Sequence, residues 1–193
     1  MLTTAGQPIL MTTSLTWCGK RVTIASYFSE EILPNANRIV IRALRPEDRS
    51  DLIAAVGQVS SQSLYRRLFA ARRHFTEAEI SFFVNVDFAR HVALIATQDV
   101  GGKSVIVGGA RFIAENSRQA EIALMVVDEY QSQGIGGALM RHLIAVARAS
   151  GLHELVALVL PNNTAMLKVF QRCGLAMTTK RESDVTRVTL QLN

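Results

Sequence analysis

Cysteine is scarce in this chain: Cys18 and Cys173 are the two among 193 residues. They are too few and too far apart for a disulfide framework or a zinc site, and a reducing cytosol suits them best. No apolar run approaches the roughly 20 residues that cross a bilayer, and the N-terminus lacks the basic and continuous apolar segments of an export signal. The expectation is therefore a cytoplasmic protein with no membrane partner. The four histidines, His74, His91, His142 and His153, are scattered without ligand spacing, so no metal is implied and each reads as a surface or internally satisfied side chain. Helix-turn-helix, zinc-finger and aromatic RNA-reading patterns are missing as well, which argues against a nucleic-acid partner. There are no internal repeats and no low-complexity tracts.

What is present is an ordinary globular composition, 49% hydrophobic and 19% charged, at a length that suits one α/β domain with a sizeable core. Residues 1–37 read as an N-terminal extension with a small hairpin around Cys18-Gly19-Lys20, and residues 38–193 as the domain proper. The net charge of +5 is concentrated. Between Arg38 and His74 eight arginines face only Glu47, Asp48 and Asp51, an excess equal to that of the whole chain. Such a segment either forms solvated helix faces or attracts an anionic ligand.

Hydrophobic spacing outlines the elements. Val22 to Phe28 is strand-like, and Arg38 to Leu44 alternates as a strand does. Pro46-Glu47-Asp48 suits a first helical turn leading to a helix that ends at Gly57. Ser61 to Leu68 reads as a helix, and Thr76 with Glu79 three residues later forms a capping box for another. Two β-rich runs, His91 to Thr97 and Val105 to Ile113, flank a hairpin turn at Gly101-Gly102, and Glu121 to Val127 is a further apolar strand. After it come a helix from Gly134 to Ser150, a strand from Glu154 to Leu160, a helix from Asn163 to Cys173, and strands near Ala176 and from Val185 to Leu190. That order implies a mixed sheet with flanking helices.

The chemistry concentrates between strand and helix at Gln131-Ser132-Gln133-Gly134-Ile135-Gly136-Gly137. Ile135, Leu139, Leu143 and Ala147 recur every four residues and should face the sheet, with Arg141, His142 and Arg148 elsewhere. The glycines then occupy the first helical turn, where N–H groups lack acceptors and the dipole end is positive, so a diphosphate can bind there. A dinucleotide fingerprint would need glycine where Leu139 stands, and a P-loop would need lysine at Gly137. Gln131-x-x-Gly134-x-Gly136 instead matches the pattern Q/R-x-x-G-x-G/A.

With the helix Asn163-Thr164-Ala165-Met166-Leu167-Lys168-Val169-Phe170-Gln171-Arg172-Cys173-Gly174-Leu175, this loop resembles the GNAT superfamily of acyltransferases. Within it, Arg42 to Asp48 and Ser60 to Phe69 look like the acetyltransferase domain of bacterial protein lysine acetyltransferases. Those proteins often carry a second domain, for which this chain has no room. The resemblance implies an α/β (α+β) fold with a mixed central sheet, flanking helices and a splayed cofactor-binding strand pair. It implies acetyl-CoA as cofactor and an amine-bearing acceptor, a protein lysine or a small molecule, as partner; a homodimer is compatible with it. By the same resemblance, backbone groups of Met125 and Val126 would pair with pantetheine, Gln131 would open the loop, and the amides of Ser132, Gln133, Gly134, Ile135, Gly136 and Gly137 would hold the pyrophosphate. Asn163 and Phe170 would face the cofactor.

An ammonium with a pKa of about 10.4 must lose a proton before it attacks a thioester. Glu121 is the only acid in the strand leading to the loop and matches the family's catalytic glutamate; partial burial would raise its pKa and help it as a base. The family's usual thiolate-protonating tyrosine is replaced by Phe170, leaving Tyr65 or water as substitutes. The alternative to an enzyme is a non-catalytic module that binds acyl-CoA and reports it to a partner.

Overall fold

The computed structural model describes residues 14–17, 20–69 and 75–192; Cys18, Gly19 and His74 lie outside that range. Strands β1 (Ser14–Trp17) and β2 (Lys20–Thr23) pair antiparallel as a hairpin of their own. The continuous strand read from Val22 to Phe28 is instead interrupted by a 3-10 turn at Ile24–Ser26. There the Ser26 hydroxyl donates to the Thr23 carbonyl at 3.0 Å, a local side-chain bond that competes with a sheet ladder.

The main sheet has eight strands among the described residues: β3 (Phe28–Ile32), β4 (Arg38–Ala43), β5 (His91–Val100), β6 (Lys103–Ala114), β7 (Gln119–Val126), β8 (Glu154–Val159), β9 (Ala176–Glu182) and β10 (Val185–Gln191). Their spatial order is β3-β4-β5-β6-β7-β8-β10-β9. Every pairing is antiparallel except β7 with β8. β5 is buried without a break from His91 to Thr97, as a central strand covered on both faces must be. The edges are charged, with Glu30 and Glu31 on β3 and Lys180 and Arg181 on β9, which discourages further strand addition. Because β3 pairs with β4 from Phe28↔Arg42 to Ile32↔Arg38, a domain boundary at Arg38 falls inside the sheet. Ile24, Tyr27 and Leu33 also belong to the main core, so the folded unit begins upstream of that boundary.

Helices cover both faces. α1 (Arg49–Gly57), α2 (Ser61–Leu68) and α3 (Glu77–Val84) lie on the side of the smaller core built on Leu44, Val59, Leu64 and Ile95. The opposite face carries α4 (Ile135–Ala149), whose Ile135, Leu139, Leu143 and Ala147 stripe is almost wholly buried against the main core. Each such leucine contributes about 1.5–3 kcal/mol by leaving water. α4 can sit this close because Gly108 on β6 has no side chain: a Cβ there would meet the Met125 carbonyl oxygen at 3.0 Å and Leu139 Cδ1 at 3.2 Å. His142, read as lying off the buried stripe, is itself buried, bonded to the Tyr27 hydroxyl and, at 2.7 Å, to Glu31. It ties α4 to the β3 segment. α5 (Thr164–Gln171) packs beside α4.

The turn from β4 into α1 is held by Asp48, which accepts from both terminal nitrogens of Arg42, at 2.7 and 2.6 Å, and from the Arg45 N–H at 2.8 Å. Against the opposing effect of burial, these bonds and the Arg42 charge hold its carboxyl below the usual carboxylate range. Asp48→Asn removes the charge and leaves Arg42 largely buried without its partner. Urea denaturation at neutral pH is expected to show a loss of about 3 kcal/mol, with the m-value unchanged.

Candidate functional site

The parallel pairing of β7 with β8 covers Gln119↔Glu154, Ala120↔Leu155 and Glu121↔Val156, and then stops. β7 runs on to Val126 and β8 to Val159, so the two strands part after Glu121. On its other edge β7 stays paired with β6 to Gly108↔Val126, and the Val127 N–H donates to the Val107 carbonyl at 3.0 Å. Alternation along the strand then turns the main-chain groups of Met125 toward β6 and those of Leu124 and Val126 into the gap. The pantetheine-pairing role read for Met125 is therefore better suited to Leu124, with Val126 retained; Met125 packs against the smaller core on the α1–α3 side.

The loop beyond β7 bends through left-handed backbone at Ser132, φ 61°, and Gly134, φ 97°. Glycine is required at 134 twice over, since a Cβ there would also press on Pro34 Cδ at 3.1 Å. Among the described residues, no N–H from Ser132 through Gly137 finds an acceptor; the first amide to do so is that of Ala138, bonded to the Gly134 carbonyl at 3.0 Å. Gly136 and Gly137 have no packing reason to lack a side chain, because the nearest protein atoms to a Cβ would stand at 3.5 Å and 3.9 Å. The loop thus forms a concave row of donors whose missing side chains leave room for something outside the protein. Ile135 is the buried anchor beneath it.

The side chains of the two loop glutamines are spent on the loop itself. Gln131 Nε2 donates to Asp128 Oδ1 at 2.8 Å and to the Val126 carbonyl at 3.1 Å. Gln133 Nε2 donates to the Glu129 carbonyl, and its Oε1 accepts from Asn35 at 3.1 Å. Asp128 also accepts the Ser60 N–H at 2.9 Å, so the start of α2 is fastened to this loop. Spacing along the chain gives no hint of that link.

These elements enclose a cleft of about 1160 Å³ running along the gap. Arg66, Arg67, Arg141, Lys168 and Arg172 line it, Arg141 in an ion pair with Glu31, and among the described residues no carboxylate is on its wall. The basic excess read from the sequence thus contributes two of five cations facing a row of N–H donors, an environment for a polyanion. Asn163 is on the wall, its Oδ1 accepting the Met166 N–H at 3.2 Å as the cap of α5. Phe170 is 1% exposed and closes the floor. Tyr65 lines neither this cleft nor the neighbouring cavity, whereas Tyr130, not singled out from the sequence, lies on the cleft wall.

Glu121 is exposed, so the burial expected to help it as a base is absent. It holds the last paired position before the strands part. Its side chain shares the sheet face of Ala123 and Met125, toward α1–α3, where a second cavity of about 350 Å³ opens past Ala123; Glu121 itself is on the wall of neither this cavity nor the cleft. Arg67 and Arg111 line that cavity amid apolar side chains. Arg111 donates to His91 Nε2 at 3.0 Å, lies 4.7 Å from the centroid of the Phe83 ring, and is pushed down to about 10 by burial and by the charge of Arg67. His91 in turn is pushed down to about 4 by burial and by Arg111, which keeps it neutral and able to accept that bond. Arg111 escaped the sequence reading because an isolated strand arginine acquires a face only once the register is known. Among the described residues no three His, Cys, Asp or Glu side chains come together as a metal site, and no helix is long and apolar enough to cross a membrane.

The Acetyltransferase (GNAT) family matches residues 54–175 of this sequence. The chain belongs to that family. It is 35% identical over 136 residues to the acetyltransferase Pat of Mycolicibacterium smegmatis, covering 69% of this chain and 40% of Pat, so it spans well under half of that relative. An acetyltransferase of Pseudomonas aeruginosa is 28% identical over 155 residues, 80% of this chain and 82% of that one. Among solved structures the GNAT domain of S. lividans PAT superposes with a TM-score of 0.77 at 30% identity, covering 85% of this chain and 96% of the domain. The splayed pair expected of this fold is the parting of β7 from β8, and acetyl-CoA is the cofactor that the family uses.

The His91 environment sets a pH dependence. Its folded pKa of about 4 lies below the ordinary 6.5, so between those values the unfolded chain binds a proton that the folded chain refuses. The stability it contributes is fully present above pH 6.5 and declines as pH falls, by about 3 kcal/mol by pH 4. Denaturation series across this window should show the wild type losing stability steeply and His91→Gln losing markedly less.

Proposed function

We propose that this chain transfers the acetyl group of acetyl-CoA to a primary amine by direct attack, with Glu121 as the base. The observation that carries the reading is the six-residue row of N–H groups without acceptors, Ser132 to Gly137, at the start of α4 and beside an unpaired strand edge. That row suits a pyrophosphate, since each amide is already directed and needs no reorganisation. The cations Arg141, Lys168 and Arg172 suit the remaining phosphate charge, and the gap-facing groups of Leu124 and Val126 suit the pantetheine amides. Asn163 and Phe170 complete the wall as cap and floor.

Acetyl-CoA supplies a thioester whose carbonyl carbon accepts the amine. Glu121, at the fork, accepts the ammonium proton directly or through water, which frees the nitrogen lone pair. The Val126 N–H, turned into the gap, stabilises the negative charge that gathers on the carbonyl oxygen; one such donor is worth about 3 kcal/mol. With Phe170 unable to donate a proton, water protonates the sulfur, or the thiolate departs as such at a cost of about 2 kcal/mol, which slows the reaction without forbidding it. Free Cys173 agrees with a cytosolic setting.

Two substitutions separate the parts. Glu121→Gln should bind acetyl-CoA in titration calorimetry as the wild type does and release thiol with an amine acceptor about 10²–10⁴-fold more slowly. Equal background release from both proteins, whatever amine is supplied, would instead favour a module that only binds acyl-CoA. Gly136→Ala should retain or slightly raise thermal stability, as its Cβ makes ordinary contacts with Val169 at 3.5 Å and Val126 at 3.9 Å, yet weaken acetyl-CoA at least 10-fold. Unchanged affinity there would remove the pyrophosphate from the loop.

A further inference from the structure

The 350 Å³ cavity beneath α1–α3 is joined to the cofactor cleft, since Arg67, Ala123, Leu124 and Met125 line both. Its size is at the lower end of small-molecule sites. Most of its wall is apolar, with Leu52, Leu64, Phe75, Ile80 and Phe83 on the helical side. Two guanidinium groups interrupt that wall. Arg111 is directed by neutral groups only, His91 Nε2 at 3.0 Å, the Phe83 carbonyl at 3.3 Å and the Phe83 ring. Arg67, at the junction of cavity and cleft, has no hydrogen-bond or ion-pair partner among the described residues.

Two partly buried cations on the wall of one cavity, neither in an ion pair among the described residues, leave a strongly positive spot in a low-dielectric wall. The nearest compensation is the exposed carboxylate of Glu121, whose charge reaches Arg67. Burial and mutual repulsion both work against the pair, Arg111 being pushed down to about 10 partly by Arg67. An anion arriving between them would relieve that repulsion and meet fork-shaped donors that fit a carboxylate. Glu121 stands on the same sheet face, on the side where the strands part.

We propose that Arg67 and Arg111 anchor a carboxylate on the acceptor, so that the acceptor is a small amino acid-like amine with an apolar body. The proposal rests on the acetyltransfer reading for what happens to the amine, but the anchor itself is a binding claim. The carboxylate sits on the arginine pair, the apolar body fills the cavity, and the amine is left toward β7 and Glu121. The same two charges disfavour polyamines, which would bring further positive charge to the spot.

The test compares acceptors that differ only by the carboxylate, leucine against isoamylamine and phenylalanine against phenethylamine, with spermidine and a lysine peptide alongside. Thiol release from acetyl-CoA and calorimetric binding to CoA-saturated protein are both measured. The carboxylate-bearing member of each pair is expected to bind at least 10-fold tighter and to be acetylated with the lower KM. Arg67→Gln, which breaks no ion pair or hydrogen bond among the described residues, should erase that preference in the acceptor's KM and in its calorimetric binding to CoA-saturated protein, with acetyl-CoA affinity measured on the same variant because Arg67 also lines the cofactor cleft. Arg67→Lys should restore only part of it, since it returns the charge without the fork. Arg111→Gln should act in the same direction, and circular dichroism checks that it folds. Equal or better binding of the carboxylate-free amines, acetylation of the lysine peptide alone, or binding of none of these acceptors would overturn the anchor. Carboxylate-dependent binding with no thiol release from any acceptor would support the anchor and sink the acetyltransfer reading.

Discussion

The whole site depends on β7 releasing β8 after three residue pairs while keeping its bonds to β6. A strand edge inside a folded sheet normally finds a partner, because an unpaired N–H or carbonyl away from water costs about 1–3 kcal/mol. Here the edge from Ile122 to Val126 is left without a strand, and the first turn of α4 opens beside it with six more N–H groups lacking acceptors. Two sets of unsatisfied donors converge on one gap. The fold tolerates them because the gap is wide enough for water, and a ligand with amide and phosphate groups can take water's place.

Such an arrangement needs rigid supports, and they come from distant parts of the chain. Gly108 lets α4 approach the sheet closely enough to aim its N-terminus at the gap. Gln131 and Asp128 brace the loop from within, and Asp128 reaches the start of α2 through the Ser60 N–H, bringing the segment that carries Arg66 and Arg67 alongside. Tyr27, His142 and Glu31 fasten the opposite flank of α4 to an edge strand. The donors are therefore preorganised by bonds that involve no ligand, the condition under which oriented dipoles contribute most.

Much of this was legible in the residues. The four-residue apolar stripe of α4, the capping box at Thr76 and Glu79, the hairpin at Gly101-Gly102 and the glycine-bearing loop follow local rules of period, cap and turn, and the structure has all of them. What escaped notice depends on register. Whether Met125 or Leu124 offers its main chain to the gap is decided by a single step of alternation, and it became readable only from the Val127 to Val107 bond. The same holds for Arg111, paired with Ala123, whose face is a consequence of strand order. The upstream boundary was misplaced for a related reason: Phe28 to Ile32 is an edge strand, exposed on alternate residues, and its membership of the sheet is a tertiary fact with little local signature.

Charge divides the site into two halves with opposite logic. The cofactor cleft gathers cations around a row of N–H donors at its open side, where water can screen them, and this arrangement serves any long polyanion. The cavity on the other side of β7 holds two cations among the described residues, Arg67 shared with the cleft and Arg111, but sets them in an apolar wall where screening is weak and each unpaired charge is expensive. Mutual repulsion works against stability there, although Arg111 is also held by His91, the Phe83 carbonyl and the Phe83 ring. Their place beside the strand that carries Glu121 suits the carboxylate-bearing acceptor proposed above. On the proposed reading, the positive charge that suits a phosphate-rich cofactor on one side of β7 also disfavours, on the other, amines that carry nothing but positive charge.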